Sequence, residues 1–472
     1  MPANKPADKT RSLKEKLTWE RQRCWDKLSA RDRKEVSSYA ERYLSFLNRA
    51  RTERKAVQVM VEEARSKGFF PIQRQGEKSS RVFLSSREKI LVMAVIGKKP
   101  MTEGIRLIAS HLDSPRLDLK PNPLYEDSGL ALLKTHYYGG IKKYHWVARP
   151  LALCGTVIRA DGGIVDIEIG LDPGDPIVTV TDLLPHLSRK QMEQKASEFI
   201  PAENLNVIVG GIPYADKDAD ERVKLAVLDL LHKRYKITEE DFITAEIQVV
   251  PAEPARSAGL DGSLMAGYGQ DDRACAFASF SALLETADPE YTGVAVFYDK
   301  EEIGSEGNTG AKSRLLEMFL MELLEYTGME PSQANLHRVC FNGKGLSADV
   351  AAGLDPTYPD VHEKRNSPGI GYGINLKKYT GSGGKYMASD ANAEYASWVR
   401  RLFNDNGVVW QAGGMGKVDE GGGGTVSKFV ANLGMDIIDC GPPVLGMHSP
   451  LEITSKDDVW MCRKAFKVFF NS

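Results

Sequence analysis

Apolar residues recur every three or four positions over the first 70 residues, which is the spacing of one helix face. Ser29 and Asp32 supply a capping box where the first helix begins, and Gly68 is a stop signal after the second. This region is therefore predicted to form two amphipathic helices. Their apolar faces consist of Val36, Ala40, Tyr43, Leu44 and Leu47 in the first and Val57, Met60, Val61 and Ala64 in the second.

From about residue 81 the apolar residues form short continuous runs instead, as in strands that are buried on both faces. These runs span residues 89–97, 104–111, 243–251, 293–299 and 434–441. Amphipathic helices are predicted between and after them, at 273–287, 312–326 and 392–406. Strands that alternate with helices indicate an α/β fold with a mixed, mostly parallel sheet flanked by helices.

The segment 116–250 has a different pattern, with short strand-like pieces, an acidic loop-rich stretch and one amphipathic helix. Because strands of the α/β pattern flank it on both sides, we interpret it as a β-rich domain inserted into the main one. The main domain is then built from residues 1–115 and 251–472. An inserted module of this kind is suited to mediating assembly or covering a site.

Composition narrows the function classes. Lys and Arg total 62 against 64 Asp and Glu, a net charge of −2, so we expect neither a nucleic-acid nor a membrane partner. The N-terminal stretch has no apolar segment typical of a secretion signal, and the six cysteines form no C-x-x-C pair. We therefore expect reduced thiols and a cytoplasmic location. The sequence contains neither a G-x-x-x-x-G-K-[ST] loop nor a G-x-G-x-x-G motif between a strand and a helix, so we do not expect nucleotide binding.

Histidines and acids stand at the ends of several apolar runs. His111 closes one strand in "SHLDSP", where Asp113 lies on the same face of an extended chain and can orient the imidazole. The other members of the set are Asp271, Glu301, Glu302, Asp349 and His448. Since the carboxyl ends of strands in an open α/β sheet face one crevice, these residues can converge there. Two histidines and several carboxylates suit two divalent metal ions with one bridging carboxylate.

Two adjacent glutamates, Glu301 and Glu302, follow the strand 293–299 directly. Adjacent side chains of an extended chain point to opposite faces. If the chain turns just after Lys300, one carboxylate can bind metal while the other stays free to move a proton.

At these residues the chain resembles the aspartyl aminopeptidase and aminopeptidase I family of two-zinc aminopeptidases, and within it the bacterial aminopeptidase I branch. The resemblance covers nearly the whole length in one order of motifs. They are "SHLDSPRLDLKP", "YYGG…RPL", "LLPHLSRK", "QDDRACAFAS", "DKEEIGSEG", "SADVAAGLDPTYPDVHE", "YMASDANAE" and "CGPPVLGMHSP".

The resemblance implies a role for each site residue. One metal ion would be held by His111, Asp271 and Asp349, and the other by Asp271, Glu302 and His448, so that Asp271 bridges. Glu301 would be the general base, Asp113 the partner that orients His111, and His186 a histidine that reaches the active site of a neighbouring subunit. The ions implied are zinc, although cobalt and manganese share such ligands.

The family fold is a zinc-peptidase-like α/β proteolytic domain interrupted by a dimerisation domain. The resemblance therefore implies dimers that build a tetrahedral shell of twelve subunits. It also implies hydrolysis of the N-terminal residue from peptide substrates, in which a metal-bridged hydroxide attacks the scissile carbonyl. The preferred residue, acidic or neutral, stays open, with Lys377, Lys378 and Lys385 as candidates for receiving an acidic side chain.

Two alternatives use the same residues. A two-metal deacylase or amidohydrolase that acts on small amides could share this ligand set. A self-assembling shell that has lost catalysis is a second possibility, but such a scaffold has no need to retain the complete set of ligands and the base.

Overall fold

The computed structural model describes residues 13–72 and 79–472. Residues 1–12, part of the stretch that we do not interpret as a secretion signal, lie outside the described residues. In chain order the strands are β1 (Phe70–Pro71), β2 (Arg81–Ser86), β3 (Ile90–Val95), β4 (Ile105–His111), β5 (Arg116–Asp127), β6 (Leu130–Tyr138), β7 (Leu151–Ile158), β8 (Ile164–Ile169), β9 (Thr179–Val180), β10 (Val207–Gly210), β11 (Glu246–Pro251), β12 (Arg256–Ala258), β13 (Leu264–Gly267), β14 (Thr292–Tyr298), β15 (Lys344–Ala348), β16 (Ala351–Ala352), β17 (Ile374–Lys377), β18 (Gly381–Ser382), β19 (Trp410–Ala412), β20 (Gly422–Gly423), β21 (Asp436–Gly441), β22 (Pro443–Leu445) and β23 (Glu452–Ser455). The α-helices span Cys24–Lys27, Ala30–Arg49, Glu53–Ser66, Arg189–Met192, Arg222–Tyr235, Gln270–Leu284, Leu315–Tyr326, Gln333–Phe341, Ala393–Asp405, Ser427–Ala431 and Lys456–Phe470.

The main sheet has the strand order β1-β2-β3-β14-β4-β15-β21-β17-β19. Its central strands β14, β4, β15 and β21 run parallel to one another, while β3 and β17 join them in the antiparallel sense. Helices cover both faces, and two clusters of buried apolar side chains fill the space between helices and sheet. The predicted α/β class and the mixed, mostly parallel sheet are confirmed.

The N-terminal helices form where the apolar periodicity predicts them. Ser29 and Asp32 make the predicted capping box reciprocally at the start of Ala30–Arg49. The helix Glu53–Ser66 buries Val57, Met60 and Ala64, as expected of its apolar face. The local signals were sufficient here because capping and one-sided burial depend on neighbouring residues of the same helix.

The run 243–251, counted among the strands of the α/β pattern although the inserted segment extends to residue 250, belongs to the second sheet. It does form a strand, β11, but β11 pairs antiparallel with β7 and β5 rather than joining the main sheet. An apolar run shows that a strand is buried, whereas its pairing partners depend on distant segments of the chain.

The second sheet, with the order β8-β7-β11-β5-β6-β10-β9, draws its strands from Arg116 to Pro251. The helix Arg222–Tyr235 packs on it, and a separate apolar cluster lies between them. The assignment of this part as a dimerisation domain remains a prediction.

The third sheet has the strand order β12-β13-β23-β22-β16, and its strand β13 leads directly into the helix Gln270–Leu284. That helix is buried along its whole length and packs against both Lys456–Phe470 and the central strands β4 and β14. Within the described ranges, no helix has the length and apolar character needed to span a membrane.

Candidate metal centre

The carboxyl ends of β4, β14 and β15 bring three parts of the predicted site to one edge of the main sheet. The register pairs His111 at the end of β4 with Tyr298 at the end of β14, so Glu301 and Glu302 follow beside His111. Asp349 comes directly after β15, which pairs with β4 on its other side. The predicted convergence at the carboxyl edge of a parallel sheet occurs here.

Two further residues reach the same edge from loops of the third sheet. Asp271 follows β13, and His448 lies between β22 and β23. Glu452, at the start of β23, fixes both loops, since its carboxylate accepts hydrogen bonds from the backbone N–H of His448 at 2.9 Å and of Asp271 at 3.2 Å.

Asp271 stands between the two histidines. Its Oδ1 lies 3.3 Å from His111 Nε2, and its Oδ2 lies 3.3 Å from His448 Nε2. Glu302 Oε2 lies 3.3 Å from the same His448 nitrogen. Each oxygen of one carboxylate therefore faces a different imidazole, which is the arrangement a bridging ligand requires.

Both imidazoles are held by backbone carbonyl groups. His111 Nδ1 is 3.0 Å from the carbonyl oxygen of Asp113, and His448 Nδ1 is 2.9 Å from that of Gly140. Because a carbonyl oxygen can only accept, each Nδ1 carries the proton and donates it. Each Nε2 therefore faces Asp271 at the centre, which is the orientation in which metal-binding histidines are usually held.

Asp113 is buried beneath the centre and organises three of its members. Its Oδ1 is 3.3 Å from His111 Nδ1 and accepts from the backbone N–H of Glu301 at 3.1 Å. Its Oδ2 accepts from the backbone N–H of Glu302 at 3.2 Å and from the Tyr138 hydroxyl at 2.8 Å. The carboxylate thus positions His111 and the glutamate pair together.

The chain turns at Lys300, whose φ of 67° lies in the left-handed region, and Glu301–Ile303 form a short 3-10 helix. This is the turn the sequence required to separate the two glutamates. Glu302 faces His448, whereas Glu301 lines the cavity without an ion pair to either histidine among the described contacts. Burial raises the pKa of Glu301 to about 8, opposed by attraction to His111 and reinforced by repulsion from Asp349 and Asp113.

At the centre, buried carboxylates outnumber the basic side chains close to them. Burial and the charge of Asp271 raise the pKa of Glu302 well above its ordinary value, and burial with the same neighbour raises that of Asp349 to about 6. Glu302 Oε1 is buried without a hydrogen-bond partner among the described residues. A set of crowded carboxylates and two imidazole nitrogens that face them fits divalent cations, which would compensate this charge.

The three candidate lysines lie in different settings. Lys377, at the end of β17, is buried and donates to the Val350 carbonyl at 3.1 Å, and Asp349 and Asp439 raise its pKa against the effect of burial. Lys378 and Lys385 are exposed and both pair with Asp390, at 2.9 and 2.7 Å.

A cavity of about 630 Å³ opens over the centre. Its lining includes the predicted ligands, Glu301, Lys377, Lys385 and the glycine-rich segment 421–424. His186 does not share this cavity in the described chain. It is exposed on the loop before Arg189–Met192, so a single chain leaves it apart from the other site residues.

Some residues around the centre were not found from the sequence. Glu452 and Asp439 are buried acids on or beside apolar strands, a signal that could have identified them. Asp272 also lies next to the centre, with carboxylate oxygens of Asp271, Asp272 and Asp349 within 4.8 Å of one another. Tyr138 belongs to the quoted "YYGG" motif, but its contact with Asp113 could not be read from the sequence because it depends on strand pairing.

Comparison with known proteins identifies the family. Residues 46–470 match the family model described as aminopeptidase I zinc metalloprotease (M18). A Clostridium acetobutylicum protein named probable M18 family aminopeptidase 1 is 43% identical over 462 residues, covering 97% of this chain and 99% of its own length. The crystal structure of an M18 aminopeptidase from Thermotoga maritima matches with a TM-score of 0.92 at 44% identity, covering 96% of this chain and all of that one.

A Saccharomyces cerevisiae aminopeptidase whose structure is described as a dodecamer has the same fold, with a TM-score of 0.73 at 20% identity over 91% of this chain and 96% of that one. The resemblance inferred from the sequence is confirmed. The chain belongs to the M18 family of aminopeptidase I zinc metalloproteases.

Proposed function

We propose that this chain is a two-metal aminopeptidase that hydrolyses the N-terminal residue from peptides. Membership in the family makes it a peptide hydrolase. The observation that carries the finer proposal is the position of Asp271, whose two oxygens each lie 3.3 Å from a different histidine Nε2.

The proposed ligand sets are those that the resemblance implies, and the contacts of Asp271 with both histidines and of Glu302 with His448 support them. His111 and Asp349 would share one ion with Asp271, and Glu302 and His448 would share the other. Zinc is the proposed ion, since nitrogen and carboxylate ligands in a low-coordinate site suit it. Cobalt and manganese accept the same donors, so metal analysis of the isolated protein is part of the test.

When bound, two ions of this kind supply an acidified water and a Lewis acid for the scissile carbonyl. Glu301 is the proposed general base, because it lines the cavity beside the ligands and is not itself paired with a histidine. It takes a proton from the attacking water and delivers it to the leaving amine. Its raised pKa suits a group that must accept and release a proton near neutral pH.

Asp113 contributes by position. It holds His111 and the backbone of both glutamates, so it keeps the ligand Glu302 and the base Glu301 in a fixed relation. It makes no contact with the cavity and needs none for this role.

Self-association is part of the proposal. His186 would complete the active site of a neighbouring subunit, and its exposed position on the second sheet's loop leaves it accessible to one. Dimers formed through residues 116–250 would then assemble into a shell of twelve, as in the yeast relative described as a dodecamer. Mixing His186→Ala chains with Glu301→Gln chains tests the sharing. Recovered activity supports a contribution between subunits, and none refutes it.

The preferred N-terminal residue is proposed to be neutral. Lys377 donates a hydrogen bond to the Val350 carbonyl and lies near the carboxylates of Asp349 and Asp439. Lys385 lines the cavity and forms an ion pair with Asp390. Lys417 and Lys428 also line the cavity, and the described ion pairs include neither, so the neutral preference rests on the similarity to the bacterial relatives named aminopeptidase 1 rather than on a lack of cations. The buried, free state of the six cysteines supports the proposed reducing cytoplasm.

A panel of aminoacyl-p-nitroanilides, assayed with and without chelator, tests the function. We expect chelator-sensitive release from neutral residues such as Leu. Cleavage confined to Asp and Glu would refute the neutral preference alone, whereas no chelator-sensitive cleavage of any member would refute the peptidase proposal. Activity on N-acyl amides in place of free amino termini would favour the amidohydrolase alternative.

A further inference from the structure

We propose that residues 138–140, here called the Tyr138 turn, hold the metal centre from two sides, with Tyr138 as a positioning residue. The turn ends β6 of the second sheet and contacts Asp113 on one side and His448 on the other. This inference rests on the proposed two-metal function and assigns a role to the "YYGG" motif.

Strand pairing brings the turn to the site. The chain leaves β4 at His111, passes Asp113 and enters β5 at Arg116. β6 runs back antiparallel to β5, with Tyr138 directly opposite Arg116. The end of β6 must therefore return to the segment that carries Asp113.

The Tyr138 hydroxyl completes the hydrogen bonding of Asp113. It donates to Oδ2 at 2.8 Å, the shortest hydrogen bond that this carboxylate accepts. The remaining partners are two backbone N–H groups and His111. Loss of the hydroxyl would leave a fully buried carboxylate with less support against rotation, and rotation would release His111 and the glutamate backbone together.

Tyr138 is itself held in place by a series of contacts with charged residues. The Arg116 guanidinium lies 3.7 Å from the centre of the Tyr138 ring. Arg116 in turn pairs with Asp118 at 2.8 Å and with the buried Glu53 at 3.6 Å. The cation on the face of the ring holds the ring plane in place. The direction of the Tyr138 hydroxyl is therefore set before any metal binds.

The glycines of the turn approach the other side of the centre. The Gly140 carbonyl accepts from His448 Nδ1 at 2.9 Å, which leaves Nε2 facing Asp271. A Cβ at Gly140 would lie 3.3 Å from His448 Nδ1, and one at Gly139, whose φ is 72°, would lie 3.3 Å from Glu302 Cβ. Backbone can approach both ligands this closely because the turn has no side chain there.

The second sheet and the metal centre are therefore coupled through one turn. Tyr138 acts through Asp113 on the His111 side, and Gly140 acts on His448 directly. A distortion of β6 would reach both metal sites.

Tyr138→Phe is the first test, because it keeps the ring and its contact with Arg116 and removes only the donor. We expect zinc affinity to fall by about 10–100-fold, as for other groups that orient metal ligands, with kcat lowered and KM changed less than twofold. The matched control is Tyr137→Phe, the same change at the adjacent residue, which is 43% exposed and points to the opposite face.

Gly140→Ala tests the other side without imposing a left-handed backbone conformation. Displacement of His448 should weaken one zinc site by about tenfold or more and leave the other tight, which gives a two-step titration. Gly174→Ala is the control, because a Cβ there meets no atom within 4 Å.

Zinc affinity is measured by competition with a chromophoric chelator, and the visible spectrum of the cobalt-substituted protein reports ligand geometry. Equal affinity and equal spectra in the Tyr138→Phe and Tyr137→Phe proteins would overturn the role of Tyr138. Wild-type affinity at both sites of Gly140→Ala would overturn that of Gly140. Should Tyr138→Phe melt at a much lower temperature without metal, zinc affinity and cobalt spectra are compared below that melting temperature, and values equal to those of Tyr137→Phe would still overturn the role of Tyr138. A wild-type protein that binds no metal would instead refute the proposed function.

Discussion

Replacing Glu301 with Gln separates the proposed base from the metal ligands. The amide has nearly the same shape as the carboxylate but cannot accept a proton from water. The Asp113 contact to residue 301 is made by the backbone N–H, so the substitution leaves it in place. Glu302, His448 and Asp271 keep their mutual contacts, since none of them involves the Glu301 side chain.

The role of Glu301 as general base sets the loss of kcat that we expect. General acid–base catalysis contributes about 10²–10⁴-fold, and each factor of ten corresponds to about 1.4 kcal/mol of activation free energy. We therefore expect kcat to fall by about 10²–10⁴-fold, or roughly 3–5 kcal/mol, with KM nearly unchanged. Zinc content should stay near two ions per chain.

The assay is steady-state cleavage of an aminoacyl-p-nitroanilide, with zinc measured on the same sample. Glu306→Gln is the matched control, because Glu306 follows in the same loop, is exposed and pairs with Lys312. Turnover within tenfold of wild type with both ions bound would refute the assignment of Glu301 as base. Loss of one ion would instead show that Glu301 is a ligand.

Three further changes probe the support around the centre. Against the effect of burial, Arg116 and Lys89 lower the pKa of Glu53 to about 2 from 4.5, so the stabilisation from the Glu53 carboxylate is present above pH 4.5 and lost as pH falls through 2. Glu53→Gln should cost on the order of 3 kcal/mol at pH 7 and flatten the acid limb of urea-unfolding stability, and an equal loss in exposed Glu62→Gln would contradict this. Lys377→Met should lower the unfolding free energy of the metal-free chain by about 3–5 kcal/mol, because two buried carboxylates lose their cation, and an unchanged urea midpoint would refute the pairing. Phe277→Ala should cost about 3–5 kcal/mol in the same assay, since its ring lies 5.0–5.6 Å from three aromatic rings of Ala30–Arg49, and a loss below 1 kcal/mol would contradict that packing.

Much of the site was accessible from the sequence because its residues mark the ends of apolar runs. His111 and Asp349 end or follow strands of the main sheet, and Glu301 and Glu302 follow another. In a parallel sheet those ends share one edge, so strand type and position along the chain were enough to predict that they meet. The capping box at Ser29 was equally local.

The supporting contacts required the folded chain. Tyr138 reaches Asp113 only because β6 pairs with β5 in a register that sets Tyr138 opposite Arg116. Lys377 is buried beside two carboxylates because β17 joins β21, and nothing in its own segment distinguishes it from exposed Lys378.

By itself, the sequence determined the helices, the strand-forming runs and the residue types that the site needs. It could not determine which sheet 243–251 would join, which oxygen of Asp271 would face which histidine, or what would hold Asp113. Periodicity and capping act between residues a few positions apart, so the sequence displays them directly. Strand partners and buried hydrogen bonds join residues far apart in the chain, and only the packing of the whole fold selects them.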